Sequence, residues 1–80
     1  VNKYQREIKG VLKNKSDQYD IVLIDVYDVL KAFNVTCPAL QHIIKKALNA
    51  GKRGHKDLET DLQDIIDSAI RAKALNHPNF

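Results

Sequence analysis

Eighty residues suffice for one small domain, and a chain of this length buries a smaller share of its surface than larger proteins do. That excludes a self-contained enzyme of any common large fold. Thirteen Lys and Arg against ten Asp and Glu leave a modest net charge of +3, so what the charge says lies in its distribution.

Small folds are often reinforced by disulfides, structural metals or oligomerisation. The single cysteine, Cys37, excludes an internal disulfide. His42, His55 and His77 are scattered and make none of the close Cys/His pairs of a structural zinc site, so no metal is expected. Elimination leaves a homo-oligomer as the expected state. No basic start with a long apolar run marks a secretion signal. The longest apolar run, Ile21 to Ile24, falls far short of the roughly 20 residues of a membrane span. The expected location is cytoplasmic, with no membrane partner.

Over residues 2–13, Tyr4, Ile8, Val11 and Leu12 recur at helical spacing among Lys3, Arg6, Lys9 and Lys13. This predicts a short amphipathic helix weakened by Gly10. Residues 14–18 form a polar connector without Pro or Gly, open to either a loop or a continued helix. Leu23, Val26, Tyr27, Leu30 and Phe33 form a second helical stripe. Its β-branched opening, Ile21 to Ile24, reads equally as a brief extended segment, with Asp25 capping a helix over 26–33.

The third helix begins at Thr36 or Cys37, with Pro38 at its first position, and buries Leu40, Ile43, Ile44, Ala47 and Leu48. Gly51 supplies its left-handed stop. After the loop 51–56, a fourth helix runs over 57–75 on the stripe Leu58, Leu62, Ile65, Ile66, Ala69, Ala72 and Leu75. The expected fold is all-α: residues 1–80 form a single helical domain, a three- to four-helix bundle built from helical hairpins.

Charge is segregated. Residues 29–56 hold six cations, Lys31, Lys45, Lys46, Lys52, Arg53 and Lys56, and no acid. Residues 57–67 hold five acids, Asp57, Glu59, Asp61, Asp64 and Asp67, and no cation. One interpretation is an anion site. The last helix aims free N–H groups at its preceding loop, Gly51 and Gly54 allow close backbone approach, and Arg53 can grip a phosphate twice. The other is that each charge block complements a helix dipole, with the acids pairing to the cations of the preceding helix or of a neighbouring subunit.

The run Gly51-Lys52-Arg53-Gly54 matches the bare GxxG of KH domains, but no set of strands completes that fold. The P-loop spacing is absent. Asp25 and Asp28 share a helical face, which suits either a Mg²⁺ site or a solvated surface, the second being the commoner case. His42, Lys46 and Asn49 fall on one stripe that lines a pocket or faces water. Cys37 fits an activated thiol at a helix start less well than a packed apolar side chain. No ordered catalytic set stands out.

The run Asp25-Val26-Tyr27-Asp28-Val29-Leu30-Lys31-Ala32-Phe33, a Pro-marked turn, His42 through Asp57, and then Asp61-Leu62 opening a helix form a longer pattern. It resembles small bacteriophage accessory proteins of a family labelled nucleotide-kinase-like, over about residues 25–73. The resemblance implies a phage origin, a bacterial host cytoplasm and a nucleotide-linked role, with Lys45, Lys46, Lys52, Arg53 and His55 as matching basic positions. The family shows an aromatic residue after the helix-three lysine, where this chain has Lys46 and Ala47, so kinase activity is not carried over.

The expectation is a non-catalytic protein binding a phosphate-bearing ligand, a nucleotide or nucleotide signal, in order to sequester it. Its ligand-binding residues are Lys45, Lys46, Lys52, Arg53, Gly54, His55 and Lys56, and no cofactor is called for. The alternatives are a nucleic-acid-binding regulator using the same residues, or an interaction module that inhibits a host enzyme.

Overall fold

The computed structural model describes residues 3–52, 54 and 57–77. Its element order is β1 (Arg6–Leu12), β2 (Lys15–Ile24), α1 (Val26–Ala32), α2 (Pro38–Leu48) and α3 (Leu58–Leu75). The fold is therefore mixed α/β, an antiparallel hairpin with three helices, and not the expected all-α helical bundle.

The correction falls on the helix expected over residues 2–13, where Arg6–Leu12 form a strand; the opening before Asp25, open to either reading, takes the extended one. The register pairs Arg6 with Ile24, Ile8 with Val22 and Gly10 with Asp20 on one face. Glu7 with Leu23, Lys9 with Ile21 and Val11 with Tyr19 lie on the other. Tyr4, Ile8, Val11 and Leu12 satisfy a helical period by coincidence. The β-branched run of β2 and its pairing partner decide the outcome, since β-structure depends on neighbours more than on local preference. The connector turns at Lys13-Asn14, where Asn14 takes a left-handed φ of 68°, a conformation Asn tolerates without glycine's help. Ser16 to Gln18 interrupt the ladder there, between the Val11–Tyr19 and Leu12–Lys15 pairs.

The chain divides into two compact units, Val1–Phe33 and Asn34–Phe80. In the first, α1 follows β2 directly. Asp25 and Asp28 close a capping box: the Asp28 N–H donates to Asp25 Oδ1 at 3.1 Å, and the Asp25 N–H donates to Asp28 Oδ2 at 2.8 Å. The two carboxylates that suited a cation are thus used to start a helix. Leu30 is buried, while Tyr27 and Phe33 of the expected stripe stay exposed.

The second unit is a helical hairpin. Lys46 near the end of α2 meets Asp61 and Asp64 at the start of α3. Cys37 at the start of α2 meets Asn76 at the end of α3, so the helices run antiparallel. Among the described residues of this unit Ala39 and Ala72 are the buried apolar ones, and Ile43, Ile44, Ile65 and Leu75 are half-buried. The contact face coincides with the expected one in part: Ile43, Ile44, Ile65, Ala72 and Leu75 belong to it, whereas Leu40 and Leu48 on α2, and Leu58, Leu62 and Ile66 on α3, remain exposed. Among the described residues no helix is long and apolar enough to cross a membrane.

Candidate functional site: the basic turn between α2 and α3

The turn lies between the C-cap of α2 at Asn49 and the N-cap of α3 at Asp57. α2 ends at Asn49, whose N–H donates to the Lys46 carbonyl at 3.2 Å, and the Lys52 N–H donates to the Asn49 carbonyl at 3.0 Å. Gly51 follows with φ 73° and Gly54 with φ 51°, so both occupy left-handed backbone. At Gly51 space is also limiting, because an added Cβ would lie 3.2 Å from Leu58 Cβ.

Beneath the turn sits a buried ionic cluster. Asp61 is fully buried and Lys46 is 4 % exposed. The Lys46 ammonium lies 2.8 Å from Asp64 Oδ2 and 3.5 Å from Asp61 Oδ1. The second Asp61 oxygen, Oδ2, accepts the Gly51 N–H at 2.9 Å. A buried carboxylate is tolerable only when paired and hydrogen-bonded, and Asp61 has both kinds of partner. The cluster ties the turn's backbone to α3 and α3 to α2. Sequence reasoning set Lys46 on a polar stripe among the ligand-binding lysines. The structure instead turns its ammonium inward, onto acids 15 and 18 residues away.

The acid block at the start of α3 is largely committed as well. Asp57 Oδ1 accepts the Thr60 N–H at 2.8 Å. That N–H, followed by the Thr60 hydroxyl, holds the Asp57 carboxyl below its usual range. One of the N–H groups at the start of the last helix, that of Thr60, and the Gly51 N–H in the turn are thus met by the chain's own carboxylates. Glu59 is exposed.

Of the predicted ligand-binding residues, Lys52 and Gly54 are exposed on the turn, Lys45 is half-buried on α2 and Lys46 is buried. Arg53, His55 and Lys56 lie outside the described residues. Among the described residues no group of three or more His, Cys, Asp or Glu side chains is placed to hold a metal. Cys37 caps α2 and is half-buried. The Leu40 N–H, then the Asn76 amide, hold its thiol below the ordinary value.

Comparison with protein-family models, curated proteins and solved structures returned no match.

Proposed function

We propose that the α2–α3 turn binds a phosphate-bearing ligand, a nucleotide or nucleotide signal, through side-chain charge. The supporting observation is the inward commitment of two neighbouring acids. Asp61 is buried and Asp64 holds Lys46, so neither faces the run of cations that the sequence places in the turn, Lys52, Arg53 and Lys56. Lys45 borders the turn on α2, and Lys46 acts from inside as a positioning residue. With the Thr60 and Gly51 N–H groups already engaged, the ligand is gripped by cations more than by a helix N-terminus. Sequestration is the use that such a charge grip suits.

The test is isothermal titration of the full chain with ATP, and fluorescence anisotropy with labelled single-stranded oligonucleotides of increasing length. ATP binding that weakens about tenfold, ~1.4 kcal/mol, when Lys52 and Arg53 are both changed to Ala supports the proposal. Lys73→Ala, at the far end of α3, serves as the charge control and leaves affinity unchanged. Affinity that grows with oligonucleotide length and falls steeply with salt transfers the site to nucleic acid. Absence of binding to both probes overturns it.

A further inference from the structure

The two strands of the hairpin form a sheet of order β1-β2, so each is an edge strand, yet their compositions differ. β1 carries Arg6, Glu7 and Lys9, and its ladder is irregular between Val11 and Leu12. Charge and irregularity of that kind discourage pairing at an edge. β2 presents Tyr19, Ile21 and Leu23 on one face and Val22 and Ile24 on the other. Lys15 to Gln18 and Asp20 are polar, but the segment 21–24 is apolar on both faces, as suits the interior of a sheet.

Among the described residues no third strand lies beside β2. Tyr19 is 56 % and Ile21 64 % exposed, and Val22 and Leu23 are exposed as well. A lone two-stranded hairpin is marginal in water, whereas three or more strands sustain themselves. The Ile21 N–H is met by the carboxylate of its own neighbour, Asp20, at 2.8 Å. That is how an edge strand satisfies a donor with no strand beside it.

The geometry points to a second copy of this chain as the missing neighbour, with β2 pairing antiparallel to the partner's β2 across a two-fold axis. The product is a four-stranded sheet with a β1 strand at each outer edge. β2 fits itself. With Val22 on the axis, Ile21 faces the partner's Leu23 and Val22 meets its own mate. Asp20 falls opposite the partner's Ile24, so the two Asp20 carboxylates stay apart. Such an interface is self-complementary, as a two-fold contact requires. The Asp20 carboxylate gives up the Ile21 N–H when the strands pair, so it acts as a local brake on assembly.

Analytical ultracentrifugation of the full chain is expected to show a dimer or an even multiple of it. Changing Ile21 and Leu23 together to Lys should give a monomer with its helical circular dichroism intact, because both side chains are exposed within one copy. Asp20→Ser should move the monomer–dimer midpoint to lower concentration. Should the double-lysine variant fail to fold, cross-linking decides. In a Cys37→Ser background, Val22→Cys should oxidise to a covalent dimer far more completely than Val11→Cys on β1. A wild-type monomer across the accessible concentrations overturns the proposal. So does an assembly indifferent to the lysines, which would shift the interface to the exposed leucines of α2 and α3. A Val22→Cys cross-link no better than that of Val11→Cys overturns it as well.

Discussion

Lys46 carries a charge at a position where α2 would otherwise place an apolar side chain against α3. Removing it leaves Asp61 buried without its cation, and breaking a buried pair from one side costs about 3–5 kcal/mol. Lys46→Ala is therefore expected to lower the urea midpoint of the α2–α3 hairpin by more than any substitution in the exposed turn. Asp64→Ala should cost less, since Asp64 is partly solvated and Asp61 retains Lys46. Equal effects of Lys46→Ala and Lys52→Ala would show that the cluster does not organise the hairpin. Asp57 adds a pH dependence of definite sign. Its folded carboxyl is held below the unfolded value, so its contribution is fully present above that value and is lost as pH falls through the folded one. α3 helicity should hold at neutral pH and decline in acid. Asp57→Asn keeps a good cap but should flatten that decline when followed by circular dichroism.

Each helix can be traced to short-range signals, and so can the places where they break down. Pro38 at the start of α2, Gly51 after its end and the acids opening α3 were readable because caps and dipoles act within one turn of chain. The strand β1 was not, because Arg6 to Leu12 carry too few apolar residues to favour a period of two, and their pairing with β2 is a longer-range fact. The lysines of the candidate site were legible as a charge block. The burial of Lys46 was not, since it depends on which face of α2 meets Asp61. Two substitutions test the elements themselves. Gly51→Ala forces a Cβ into left-handed backbone and against Leu58, and should destabilise the hairpin by about 1–2 kcal/mol in urea denaturation. Asp25→Ala removes one half of the α1 capping box and should cost about 1 kcal/mol of α1 stability, seen as faster amide exchange from Val29 to Phe33. Unchanged exchange there would mean that α1 is held by Leu30 alone.

Two compact units in so short a chain divide its stability unevenly. Asn34–Phe80 has a buried charge cluster and paired helix faces, whereas the strands of Val1–Phe33 are exposed almost throughout and have one another for hydrogen bonding. A chain built this way need not unfold in one step. Local opening should be easiest where few apolar groups are covered, so β1 and β2 amides in a single copy should exchange faster than those of α2 and α3. Self-pairing through β2 changes that order in a way that depends on mass action. As protein concentration rises, amides in the Tyr19–Ile24 part of β2 should gain protection, while α2 and α3 amides, closed within one chain, stay constant. Hydrogen exchange followed by mass spectrometry at several concentrations reads both units in one experiment. Protection that rises in α2 and α3 but not in β2 would place the assembly on the helical hairpin. Protection rising in β2 alone would leave the basic turn outside the subunit contact, free to meet a ligand in each copy.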